Sequence, residues 1–214
     1  MGNTPINAID PDGGDIIFLN ATKSVMEIGH AAILIGNDKD GWRYVSKNGT
    51  TKNWAGRFGL YGESIDPDLG NRGIDEENPN DFRGTGLTAK EVINIINRHY
   101  YDEHNTPENP EANEWYDRYV RIASTKEQDE KAYNAAVLQA RAKYGVFGAS
   151  CLDIPQDGLL NTGIKFKRAG DWNIFPNSWF TNFAFYNFGS FNAAPRPTRI
   201  TNISIKPGTF TFPE

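Results

Sequence analysis

The chain has 214 residues, 38% of them hydrophobic and 13% aromatic, and a formal charge of −5. That is apolar material for one sizeable core, and the acidic balance excludes a general nucleic-acid binder, which needs a basic stripe. Cys151 is the only cysteine, so no internal disulfide framework exists. No apolar run reaches the about 20 residues of a membrane-spanning helix, and the first residues lack the basic and apolar regions of a signal peptide.

Residues 1–14, Met-Gly-Asn-Thr-Pro-Ile-Asn-Ala-Ile-Asp-Pro-Asp-Gly-Gly, are dense in turn formers and too short to fold alone. Within them, Gly2-Asn-Thr-Pro-Ile-Asn-Ala-Ile-Asp-Pro-Asp-Gly13 resembles the segment that ends the core of Rhs (YD-repeat) proteins. In that family the core encloses a variable C-terminal domain, usually a toxin. The resemblance therefore implies that residues 1–14 are the tail of such a core and that residues 15–214 are a toxin domain.

Residues 15–19 (Asp-Ile-Ile-Phe-Leu) form a short apolar run, a strand or buried turn. Gly29-His-Ala-Ala-Ile-Leu-Ile-Gly36 is apolar on both faces and predicts a central strand. Asn37-Asp-Lys-Asp-Gly41 is a hairpin turn, and residues 42–47 return as the next strand. Counting back across that turn sets His30 opposite residues 46–48, with His30, Ala32 and Leu34 on one face. Residues 49–86, rich in Gly, Asp and Asn, read as a long insertion. Its acidic pieces do not match the spacing of a calcium loop and read as solvated.

Thr88-Ala-Lys-Glu91 is a capping box opening a helix with a stripe of Val92, Ile95, Ile96 and His99. His99 continues that stripe while His104 falls among Pro, Asn and Glu, which argues against joint metal ligation. Residues 117–123 alternate like a strand, and Ser124-Thr-Lys-Glu127 predicts a second box and a helix running to Gly145. Residues 164–168 suggest a strand. Residues 172–189 are crowded with aromatics, read as core packing or, alternatively, as the wall of an apolar substrate groove. Ala193-Ala-Pro-Arg-Pro reads as a linker, and residues 198–212 as a late strand.

Cys151 follows Gly148-Ala149-Ser150 and precedes a short predicted helix over residues 152–160. A helix N-terminus favours a thiolate, which makes Cys151 a candidate nucleophile. The competing reading is a small buried hydrophobe. Pro155 sits deeper than the first helical position, where proline fits best.

A His strand followed later by Ser150-Cys-Leu-Asp and a helix resembles the circularly permuted NlpC-type papain-like fold, which includes lecithin–retinol acyltransferase-like enzymes. The fold this implies is α+β, a small antiparallel sheet packed against the helix that carries the cysteine. Carried over onto this chain, Cys151 matches the nucleophile and His30 the base. The third polar residue falls to Ser46 or Asn48, with Asn48 preferred because its amide oxygen can accept from an imidazole N–H. The implied chemistry is Cys–His hydrolysis of an amide or acyl bond. A lipid-directed thioesterase, phospholipase or acyltransferase is one alternative, and a binding module with a buried cysteine is another. No cofactor is implied. The Rhs resemblance further implies a cognate immunity protein, a parent shell with its secretion apparatus, a protein, peptide or lipid substrate, and delivery into a target cell without a cleavable signal.

Overall fold

The computed structural model describes residues 13–24, 27–49, 64–65, 81–104, 115–142, 150–167 and 175–196. In chain order these form β1 (Gly14–Ala21), β2 (His30–Asn37), β3 (Gly41–Val45), β4 (Asn48–Gly49), β5 (Ser64–Ile65), α1 (Ala89–His104), β6 (Arg118–Ser124), α2 (Lys126–Arg141), α3 (Asp153–Leu160), α4 (Pro176–Phe188) and β7 (Asn192–Ala193). The architecture is α+β. One sheet has the order β3-β2-β1-β6-β7 with every neighbouring pair antiparallel, and β4 pairs with β5 in a separate ribbon.

Helices cover both faces of this sheet. Ile16, Phe18, Ala31, Ile33, Ile35 and Val45 share a core with α2, α3 and α4. Ile17, Leu19, Ala32, Leu34, Trp42 and Tyr44 share the other core with Val92, Ile93 and Ile96 of α1. Strands covered on both sides need apolar residues at every position, which is why β1 and β2 do not alternate. Each fully buried Leu, Ile or Phe here contributes about 1.5–3 kcal/mol.

Small residues let α3 sit close to the sheet. Ala132, Ala136 and Ala140 recur at every fourth position and form the buried stripe of α2. Gly158 of α3 faces it, and a Cβ there would come within 2.9 Å of Ile33 Cδ1 and 3.4 Å of the Ala132 carbonyl. Lys47, fully buried, leaves β3 on this side. Its Nζ donates to the carbonyls of Gln139 (3.1 Å) and Ala142 (2.6 Å), placing a cation on the negative end of α2.

Five local expectations require correction. The capping box of α2 uses Thr125 and Gln128, one residue later than Ser124 and Glu127. Ser124 is held in the β6 ladder opposite Gly14, and its hydroxyl donates to Asp129 instead. Residues 164–167 form no strand, because the Asn187 carboxamide takes both the N–H (2.7 Å) and the carbonyl (2.9 Å) of Lys167. Ala193, the first residue of the expected linker 193–197, belongs instead to a short edge strand, Asn192–Ala193, on β6. Residues 81–86 do not belong to a loose insertion, since Phe82 is buried under α1 and its N–H donates to the Trp42 carbonyl at 2.7 Å. β3 also stops at Val45, two residues short of the expected end at Lys47. The late strand over residues 198–212 and most of the 49–86 insertion lie outside the described residues.

Asp129, in the first turn of α2, is buried, and burial pushes its pKa up to about 6 from 3.8. The Ser124 hydroxyl and Arg43 oppose that shift, whereas Asp15 and Glu130 add to it. The folded chain therefore holds this proton more tightly than the unfolded chain. Stability falls as pH rises from about 4 to 6, and the deficit is complete above that window. Asp129→Asn keeps an acceptor for Ser124 and removes the charge. It is expected to raise stability at pH 7.5 by about 1–3 kcal/mol and to change it little at pH 4. Urea denaturation at both pH values checks this, and a loss of stability at pH 7.5 would contradict it.

Candidate active site

His30 opens β2 from a loop that α4 holds in place. Asn177 donates its main-chain N–H to Ile28 O (3.1 Å) and its amide to Thr22 O (2.8 Å) and Glu27 O (2.7 Å). Gly29 lies at φ 98° against Asn177, where a Cβ would meet Asn177 Oδ1 at 2.2 Å. Only glycine fits there on both counts. On the other side, the Asn20 amide donates to the His30 carbonyl at 2.9 Å.

Strand pairing determines what surrounds the next residue. The Asn20 carbonyl accepts from Asp117 N–H at 3.1 Å, so the Asn20 main chain is turned toward β6. Its ladder partner Ala31 is consequently turned away from β1, toward the β3 side. On that side the ladder with β3 has already ended, at Ile33↔Val45. On this side the Ala31 main chain is one of the groups that favour the Cys151 thiolate.

Cys151 lies in the turn before α3. The Ser150 N–H and hydroxyl both bond the Asp153 carboxylate, and the Ser150 carbonyl accepts from Asp153 N–H at 3.2 Å. Pro155 is tolerated at the third helical position, where its missing N–H has no partner inside the helix to lose. Cys151 is 6% exposed as a residue, and burial pushes its thiol pKa up to about 11. Main-chain groups of Ala31, Cys151 and Leu152 favour the thiolate but do not overcome burial, and Asp153 adds to the rise. The expectation that a helix N-terminus would lower this pKa is therefore corrected.

The imidazole is engaged elsewhere. His30 Nε2 lies 2.9 Å from Ser46 Oγ, which lies 3.4 Å from the Tyr116 hydroxyl, itself 2.7 Å from that of Tyr44. All four residues are buried. Tyr116 is pinned by Asn97, which accepts from its N–H at 2.8 Å and donates to its carbonyl at 2.9 Å. This cluster is on the α1 face of the sheet, whereas Leu152, Ile154 and Leu159 pack α3 onto the opposite face. Cys151 thus precedes a helix on one face of the sheet while the imidazole is bonded on the other, and Ala31, next to His30 in β2, is among the main-chain groups that favour the thiolate.

Of the two candidates for a third polar residue, Ser46 is the one whose side chain bonds the imidazole. Asn48 pairs through its main chain with Ile65, and its side chain lies outside the described residues, as do those of His99 and His104. Tyr116 and Tyr44 were not foreseen. Tyr44 could have been found two residues before Ser46 on the same face, but Tyr116 arrives only through tertiary packing. Trp179, Phe180 and Phe183 belong to the core, while Phe185, Tyr186 and Phe188 stand exposed.

Among the described residues, no group of three or more His, Cys, Asp or Glu side chains is gathered to hold a metal ion, and no helix is long and apolar enough to cross a membrane. Compared with known proteins, the chain matches no family model, no curated protein and no solved structure. The chemistry has to be argued from the geometry.

With a pKa of about 11, roughly one Cys151 thiol in a few thousand is ionised at pH 7.5. Iodoacetamide should alkylate Cys151 at least about tenfold more slowly in the folded chain than in urea at pH 7.5, and the folded rate should still be rising above pH 9. Mass-spectrometric rates across pH test this. A plateau reached below pH 8 would show a preformed thiolate and contradict the burial argument.

Proposed function

We propose that this chain is a cysteine-nucleophile hydrolase or acyl transferase of the permuted papain-like kind, serving as the toxin domain of an Rhs-type effector. The observation that carries the catalytic part is the His30 imidazole held at Nε2 by Ser46, next in β2 to Ala31, whose main chain favours the Cys151 thiolate. The order of a His strand before a Cys-led helix, on an antiparallel sheet, supports the papain-like assignment. The toxin assignment rests on the resemblance in residues 2–13.

The resting thiol is protonated, so the reaction begins with general-base catalysis rather than a standing ion pair. With Nε2 engaged by Ser46, the thiol proton passes to His30 Nδ1 as sulfur attacks the acyl carbon. The main-chain groups that face the sulfur, those of Ala31, Cys151 and Leu152, are the donors available to the developing oxyanion. The imidazolium then returns the proton to the leaving amine or alcohol, giving an acyl-enzyme. Water resolves it in a hydrolase and another nucleophile in a transferase.

Deep burial and the raised pKa favour a second reading, in which Cys151 only terminates the sheet and the chain binds without catalysis. Expression in the cytosol or periplasm of a heterologous bacterium separates the two. Cys151→Ala and His30→Ala, each shown to unfold cooperatively, are expected to lower killing by a factor of about 100 or more. Undiminished killing by a folded Cys151→Ala chain would establish the non-catalytic reading. Killing confined to one compartment would locate the substrate class, with the cytosol pointing to an intracellular acyl or amide bond and the periplasm to the cell wall.

A further inference from the structure

One buried cation has no counterion. Arg118 begins β6 and is only 9% exposed, and burial lowers its pKa while the charge of Asp117 opposes that shift. The Asp117 carboxylate is turned elsewhere, accepting from the Thr22 N–H (2.6 Å) and hydroxyl (3.0 Å). No carboxylate among the described residues forms an ion pair with Arg118. Buried charges are ordinarily paired, because an unpaired one gives up its hydration for nothing of equal strength. What holds this guanidinium is neutral. Nε donates to Asn20 Oδ1 at 2.7 Å, Nη2 donates to the Asn177 carbonyl at 3.1 Å, and Cζ lies 4.9 Å from the ring centres of both Phe180 and Phe191.

We propose that Arg118 anchors an anion-binding site on the α4 face of the sheet, one that takes the carboxylate or phosphate group of a ligand. A guanidinium carries five N–H donors in a fixed fork, and the protein uses two of them here. Nη1 has no acceptor among the described residues and is not sealed from solvent. Together with the second N–H of Nη2 it leaves one edge of the fork for two oxygens of a single oxyanion. Asn20, Asn177 and the two rings already fix the side chain, so little rotamer freedom is lost on binding. Partial desolvation strengthens the attraction for an anion that reaches that edge. Strand pairing sets Arg118 opposite Asn20 and Asn20 opposite Ala31, in one row across the sheet. Neighbouring strands lie about 4.8 Å apart, so the Arg118 main chain is about 10 Å from that of Ala31. The Asn20 carboxamide spans part of that distance, accepting from Arg118 and donating to the His30 carbonyl. The site stands on Arg118 and its surroundings and does not depend on the Cys–His reading.

The test needs no knowledge of the natural ligand. Nitrogen-15 NMR of the full chain follows the Arg118 Nε–H signal, identified by its loss in Arg118→Lys, while inorganic phosphate or acetate replaces chloride at constant ionic strength. The expected result is a saturable shift of that signal, with a midpoint in the millimolar range, for at least one of the two oxyanions. The thermal midpoint of the chain should rise over the same concentrations. A response to phosphate alone assigns a phosphoryl ligand, and a response to acetate alone assigns a carboxylate. Arg118→Lys keeps the charge but loses the fork, and should weaken the thermal response to the oxyanion at least about tenfold in midpoint concentration. No saturable shift with either oxyanion, or a thermal response undiminished in Arg118→Lys, would overturn the proposal and leave Arg118 a purely structural cation. Should Arg118→Lys fail to fold, sequential assignment supplies the signal and the wild-type titrations decide alone.

Discussion

β3 leaves β2 too early. The ladder between them stops at Ile33↔Val45, although β2 continues back to His30. At Ala31 the main chain favours the Cys151 thiolate, and beyond Val45 the side chains of Ser46 and Lys47 diverge. Lys47 goes to the α2 side and caps that helix, and Ser46 goes to the α1 side and meets His30. The truncated ladder therefore ends where Ser46 meets His30, beside the Ala31 main chain that favours the Cys151 thiolate.

The same point sets two environments against each other. On the α2 and α3 side the surroundings are apolar, and desolvation outweighs the main-chain donors around the sulfur, which keeps the thiol protonated. On the α1 side a chain of hydroxyls is embedded in an otherwise apolar core. Buried polar groups persist only when they bond one another, and here they do so in an order that ends on an imidazole.

Much of the sheet was legible because its physics is local. β1 and β2 are apolar on consecutive positions, the hairpin carries its turn residues, and Thr88 with Glu91 caps α1 within four residues. What was not legible depends on partners far away in the chain. Nothing near residue 164 indicates that Asn187 will satisfy Lys167, and nothing near residue 192 indicates a place beside β6. Cys151 shows the same limit. Its position before a helix was readable, but the sign of its pKa shift depends on how tightly Ala132, Ala136 and Gly158 let α3 close on the sheet. Tyr116 follows residues that lie outside the described ones, and only the packed fold brings it near His30.

An activated ester tests the central claim, that thiol and imidazole act together at the end of β2, without knowledge of the natural substrate. The chain would be incubated with p-nitrophenyl acyl esters, with release of nitrophenol followed and the acylated peptide located by mass spectrometry. The expected result is a burst of about one equivalent per chain, as an acyl-enzyme requires, with the acyl group on Cys151. His30→Ala should lose the burst even though its cysteine is intact. Acylation spread over other residues, or a Cys151 burst equally fast without His30, would contradict the account.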